Sequence, residues 1–171
     1  MLGCFTLTNA EAGTADRMLE LLATQLTAEG LLVKGAVQVN TAPDPDCACD
    51  MDLRVLGEDG SAIRISQSLG AGSSGCRLDT GALQVAAGRV SARLAEGADL
   101  CILPKFGRQE ASGLGFRELI AQALDRGIPV LIHVPAEQRA AFDGFAGEFA
   151  EWLDPQSLAG WCRRAASGAA A

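Results

Sequence analysis

The stretch GCFTLTNAEAGTADRMLELLATQLTAEGLLVKGAVQVN, residues 3–40, decides the architecture. Its opening GCFTLT (3–8) is short, apolar and β-branched, the composition of a buried strand. A turn, NAEAGTA, follows. From Asp16 to Glu29, Met18, Leu19, Leu22 and Leu26 recur at helical spacing, and Gly30 is placed to end the helix. LLVKGAVQVN (31–40) is then a second strand. Strand, helix and strand within some forty positions make a βαβ unit, which implies parallel pairing.

The rest of the chain extends that unit. LRVLGEDGSAIRIS (53–66) predicts a β-hairpin around a Gly-Glu-Asp-Gly turn. DTGALQVAAGRVSARLAEG is a helix with Asp79 or Thr80 as N-cap. ADLCILP is a continuous apolar strand of the kind buried on both faces. GLGFRELIAQALDRG is a helix ending at Gly127, and IPVLIHVP is the strand after it. FDGFAGEFAEWLD and PQSLAGWCRRAAS are expected to close the chain as a compact helical end. The expected product is a single α/β domain over 1–171 with a frayed tail at 167–171. Its core is a mostly parallel, doubly wound sheet with helices on both faces and a hairpin insertion. Ligands of such sheets bind beyond the carboxyl ends of the strands.

Composition narrows the function. The chain has 171 residues, 49% of them hydrophobic and 20% charged, as in an ordinary globule. A net charge of -7 argues against a nucleic-acid partner, which needs a basic face. It leaves room for a small anion at a locally basic site. No apolar run approaches the ~20 residues of a membrane span. The start MLGCFTLTNAEAG lacks the basic, then apolar, order of a secretory signal, so the expected compartment is the cytoplasm. There the six cysteines point away from a disulfide framework. Cys4 and Cys101 sit in apolar runs and are expected as small core residues.

Four places offer chemistry. The first is the strand-to-helix turn, positioned like a phosphate loop with Asn9, Gly13 and Thr14. With Gly13 on the second glycine of G-x-x-x-x-G-K-[ST], Thr14 falls at the lysine and Ala15 at the metal-binding hydroxyl. Both functional side chains are absent, so the loop is degenerate. The second is ISQSLGAGSSGCRLDTGAL (65–83). Gly70, Gly72 and Gly75 permit an anion-binding nest of backbone N–H groups. Ser66, Gln67, Ser68, Ser73 and Ser74 add donors, and Arg77 brings a planar fork suited to an oxyanion. Cys76 beside it is either a thiolate partner or a packed small residue.

The third place is ILPKFGRQEASGLGF (102–116), just past a buried strand, with Lys105, Arg108, Gln109 and Glu110 around Gly107. Convergence of the loops holding Arg77 and Lys105 would make one anion pocket. The fourth is DPDCACDMD, where Cys47 and Cys49 form a C-x-C pair flanked by aspartates, a weak soft-metal motif. His133, the only histidine, is expected buried or at a strand end. No nucleophile–histidine–acid triad stands out, and no residue is assigned a catalytic role.

Five stretches resemble a bacterial family, the domain of unknown function 2478: CDMDL (49–53), residues 65–83, ADLCILPKFGRQEASGLGFRELIAQAL (98–124), GIPVLIHV (127–134) and FAGEFAEWL. The family resembles P-loop nucleoside triphosphatases in layout, without a dependable phosphate-loop lysine. Some members are associated with molybdate uptake and molybdenum enzymes, so the resemblance implies a molybdate- or tungstate-related role. Lys105, Phe106, Gly107 and Glu110 match its pattern, while Pro104 stands where the family tends to carry asparagine.

The expected function is therefore binding of a small oxyanion, molybdate or tungstate first, in molybdenum homeostasis. Partners would be that ligand and a second copy or a molybdenum-pathway protein, with no nucleic acid and no membrane. One alternative is a nucleoside triphosphatase binding nucleotide and Mg²⁺, with Lys105 or Arg77 replacing the missing lysine and Asp99 or Glu110 helping to hold the metal. A second is a regulatory module with a vestigial pocket.

Overall fold

A computed structural model describes residues 1–41, 50–67 and 78–169. Its central feature is a seven-stranded sheet in the order β4-β3-β2-β5-β6-β1-β7. The strands are β1 (Leu2–Phe5), β2 (Val33–Thr41), β3 (Asp50–Leu56), β4 (Ile63–Arg64), β5 (Leu100–Leu103), β6 (Val130–His133) and β7 (Ala150–Trp152). β2, β5, β6, β1 and β7 pair in parallel, with Leu2 opposite both Val130 and Ala150, and Cys101 also opposite Val130. β3 runs antiparallel to β2 and to β4, so the inserted hairpin widens one edge.

Two faces need two layers of helices, and strand alternation supplies them. Cys4, Cys101, Leu103, Val130 and Ile132 point into one core. There they meet α2 (Thr80–Ala95), α4 (Arg117–Asp125) and α5 (Arg139–Ala146) through Val90, Ile120 and Phe142. Phe5, Leu100, Ile102 and Leu131 point the other way, onto α1 (Thr14–Ala28) and α6 (Leu158–Ala169) through Leu19 and Trp161. β5 is fully buried on both faces, which explains its unbroken apolar LCIL. Asp79 caps α2 as the sequence predicts, its Oδ1 accepting from the Ala82 N–H at 2.9 Å. The buried Cys4 and Cys101 are core residues, and Cys162 joins them.

Two expectations need correction. The segment 142–154 is not wholly helical. After α5 the chain makes a single 3₁₀ turn and then adds β7 beside β1. Three residues are too few to show strand alternation, and AEW contains one exposed position between two half-buried ones. The helix expected from Gly113 to Gly127 is shorter, and the loop before it contains a helical turn of its own. A four-residue turn, α3 (Arg108–Ala111), precedes a bend at Ser112–Phe116, and only then does α4 begin.

The winding leaves a switch point at the carboxyl ends of β1, β5 and β6. From β1 the chain crosses on the α1 face toward β2, whereas from β6 it crosses on the α5 face to β7. Open α/β sheets take ligands at such a reversal.

Candidate functional site

Two cavities open at this edge, and Lys105 lines both. It follows β5 directly, so the sheet itself carries its backbone to the switch point. Among the described residues, Lys105 and the exposed Arg108 have no ion-pair partner. Many other cations of the chain are engaged: Arg54 with Glu20, Arg89 and Arg93 with Glu58, and Arg163 with Glu29.

The cavity on the α1 side measures about 270 Å³. It occupies the place of a phosphate loop, with Gly13 in the left-handed region (φ 79) as the residue before the helix. Asn9 is left-handed as well (φ 57), and the Thr14 N–H donates to the Glu11 carbonyl at 3.1 Å. Its charge is wrong for polyphosphate. Glu11, Asp16 and Glu137 line it against Lys105. His133 adds no positive charge near neutral pH, because burial and then Lys105 hold its pKa below the ordinary 6.5. Its ring rests on Phe5 at 5.2 Å between centroids, at the end of β6.

Asp16 is the residue that the sequence reading missed. It lies in the first turn of α1, only 9% exposed. Its Oδ2 accepts from Asn40 Nδ2 at 2.7 Å and from Gln38 Nε2 at 3.3 Å. Gln38 Nε2 also donates to Asn40 Oδ1 at 2.7 Å. A carboxylate in this first turn satisfies the positive end of the helix dipole from within the protein. The signal available was two amides, Gln38 and Asn40, on one face of the apolar strand β2.

The second cavity, about 330 Å³, lies on the α2 face, and Gln38 is in its wall. Pro104, Lys105, Arg108 and Gln109 supply one side of it. Met51, Leu53, Ile65, Leu78, Leu83 and Phe116 make the remainder apolar. The loop Lys105–Phe116 is fixed by a buried carboxylate. Glu110, 4% exposed, accepts from the Gly107 N–H through Oε2 at 2.8 Å and from the Phe116 N–H through Oε1 at 2.9 Å. Both oxygens are thus engaged by backbone amides, and Glu110 shapes the cavity from its own loop. Gly115 makes this possible: at φ +61, a Cβ there would stand 2.1 Å from Glu110 Oε1.

Ile65 and Leu78, on either side of the serine-glycine stretch, line this second cavity. Ser66 bridges to Leu78, its Oγ accepts from the Met51 N–H at 3.1 Å, and the Asp79 N–H donates to Ile65 O at 2.8 Å. Ser66 is buried and Gln67 exposed. Ser68, Gly70, Gly72, Ser73, Ser74, Gly75, Cys76 and Arg77 lie outside the described residues, as do Cys47 and Cys49. Among the described residues no group of three His, Cys, Asp or Glu could hold a metal ion. Asp99, once a candidate for Mg²⁺, accepts from the Leu32 N–H at 2.8 Å at the far end of β5.

Fold and site together define an α/β protein with a mostly parallel sheet of P-loop NTPase-like layout, whose β1–α1 turn contains no lysine and is followed by the buried carboxylate of Asp16. The chain belongs to the family described as protein of unknown function DUF2478, whose model matches residues 5–161. It is also 34% identical over 154 residues to a molybdenum import ATP-binding protein, ModC 2, of Bradyrhizobium diazoefficiens. That match takes in 89% of this chain but 17% of the relative, so most of the larger protein lies outside the shared region. No solved structure matches the chain. No helix among the described residues is long and apolar enough to cross a membrane.

Proposed function

We propose that this chain binds a small oxyanion, molybdate or tungstate first, as an accessory domain in molybdenum import. The observation that carries the reading is Lys105: an unpaired, half-buried ammonium at the sheet's switch point, with the unpaired Arg108 beside it on the α2-face cavity. Charged groups left without partners in a concave site favour an incoming counter-ion, and charge-assisted hydrogen bonds are the strong ones. Arg77 and the serines of 66–77 are proposed to complete the donor set, since Ile65 and Leu78 on either side of them line the same cavity. The similarity to a molybdenum import protein supports the choice of oxyanion.

ATP binding by this chain is the second reading, and charge weighs against it. The cavity in the phosphate-loop position is lined by Glu11, Asp16 and Glu137. A triphosphate there would face three carboxylates with one lysine. The relative's ATP-binding role is readily housed in the 83% of its length that this chain does not match, the complement of the 17% that it does.

A thermal-shift panel with molybdate, tungstate, sulfate, phosphate and Mg-ATP separates the two. A ligand at 100 times its Kd stabilises by about 2.7 kcal/mol. Stabilisation by molybdate or tungstate supports the proposal. Stabilisation by Mg-ATP alone replaces it with the nucleotide reading.

A further inference from the structure

We propose that the α2-face cavity, besides a bare oxyanion, accepts an oxyanion carried as the head of a small organic molecule with an apolar body. This rests on the anion site proposed above and adds the ligand's chemical class.

Size is the first argument. A cavity of about 330 Å³ has room for on the order of ten waters, each taking about 30 Å³ in the liquid. A tetrahedral ion of five heavy atoms would leave most of it wet. The volume falls instead in the range of about 300–1,000 Å³ typical of small-molecule sites.

Lining is the second argument. Besides Lys105, Arg108 and the polar Gln38, Gln109 and Glu110, the lining includes the apolar Met51, Leu53, Leu83 and Phe116. A site for a naked, strongly hydrated dianion has no use for such a surface, which cannot replace lost water. An apolar body gains from it in proportion to the area buried. The polar groups gather at one end, as in sites where a few polar contacts orient a mostly apolar ligand. Leu53 and Phe116 are almost fully buried, and Glu110 clamps the Phe116 backbone, so this wall is preformed. The geometry therefore separates a cationic rim at Lys105 and Arg108 from an apolar floor.

The test is calorimetric titration of the full chain with inorganic phosphate, phenyl phosphate, 1-naphthyl phosphate and uncharged 1-naphthol, with molybdate in parallel. The expected result is an affinity that climbs about tenfold or more from phosphate to 1-naphthyl phosphate. The naphthol should bind far more weakly than the naphthyl ester. Lys105→Gln should abolish the difference between ester and naphthol. Met51→Ala should reduce the gain from the naphthyl body, read as the ratio of 1-naphthyl phosphate affinity to inorganic phosphate affinity. Circular dichroism melts confirm that both variants fold, and a competition titration of 1-naphthyl phosphate against molybdate serves if either does not. Equal affinity for phosphate and 1-naphthyl phosphate overturns the inference. So does an undiminished ratio of 1-naphthyl phosphate to inorganic phosphate affinity in Met51→Ala. Molybdate binding that needs Lys105 but gains nothing from an aryl body leaves the proposed function standing and removes only this extension. Aryl phosphate binding without molybdate binding does the reverse.

Discussion

Asn40 Nδ2 donates to Asp16 Oδ2 at 2.7 Å, which ties the end of β2 to the first turn of α1. The bond puts a carboxylate of the protein near the place where a phosphate-binding loop would present its lysine. Gln38, 5% exposed, leans on the same oxygen. Removing Asp16 therefore takes one acceptor from the buried Gln38, which keeps its bond to Asn40, while the exposed Asn40 can turn to water. Asp16→Ala is expected to destabilise the chain by about 1–3 kcal/mol, the usual cost of an unsatisfied buried donor. Urea denaturation measures it. A change within about 0.5 kcal/mol would mean that water replaces the carboxylate and that the latch is unimportant.

Gly115 is the residue on which the Lys105–Phe116 loop turns. Gly115→Ala adds a Cβ to a left-handed position and drives it onto Glu110 Oε1. Strain at such a position and loss of the Phe116 N–H contact together predict a loss of about 1–3 kcal/mol. Glu110→Gln should cost a similar amount, because its –NH₂ end would face an N–H donor. If the loop presents Lys105, both variants also weaken anion binding. The denaturation midpoint and a molybdate titration of each variant check the two halves of the prediction separately.

Glu29 and Arg163 form a two-pronged pair between α1's carboxyl end and α6, with both contacts at 2.8 Å. Hydrogen bonds from Arg163 and then Gln25 hold the Glu29 carboxyl down, from an ordinary 4.5 to about 2. A depressed carboxyl stabilises the fold above its unfolded value and loses that contribution as pH falls. The loss belongs to the window from about 4.5 down to about 2. Stability measured across that window should fall less steeply in Glu29→Gln than in the parent. Because the pair is exposed, the parent's advantage at neutral pH should be small, and the two curves should meet as pH falls toward about 2. Identical acid limbs would show that the pair is not formed in solution.

Burial pushes the thiols of Cys4, Cys101 and Cys162 up to about 12. The thiolate is the reactive form, so these three are expected to resist iodoacetamide at pH 8 until the chain unfolds. Peptide mapping after native labelling reads this directly. The raised values also carry a sign: folded thiols keep protons that unfolded ones release above about 9, so stability should drain as pH climbs from there toward about 12. Rapid native labelling at any of the three would contradict the packing of that core.

How legible this was differs by element, for physical reasons. β5, β6 and α2 announce themselves through unbroken apolar runs and the Asp79 cap, signals that are local in sequence. β7 is three residues whose strand character comes from pairing with β1, a partner almost the whole chain away. The site divides in the same way. Lys105 was found because the carboxyl end of a buried strand has a position in any doubly wound sheet. Glu110 reads from sequence as a ligand-facing group, because its two partners are backbone amides, which side-chain chemistry does not reveal. Asp16 passed as an ordinary helix-start acid, since its role depends on Gln38 and Asn40, some twenty residues away in sequence.

If Lys105 anchors the anion, His133 leaves a mark on the pH dependence. With its pKa below the ordinary 6.5, His133 is already neutral above that value. Anion affinity should stay flat from pH 7 to pH 8.5 and rise only on acidification, as a positive imidazolium joins Lys105. An affinity that changes across the neutral range would assign the binding to another group.

The most direct test of the central claim is isothermal titration of molybdate into the parent chain and into Lys105→Met. The account predicts saturable one-to-one binding to the parent and a loss of about tenfold or more in the variant, the effect of removing one charge-assisted hydrogen bond. Equal affinity in the two proteins, or no binding of molybdate or tungstate by the parent, would contradict it.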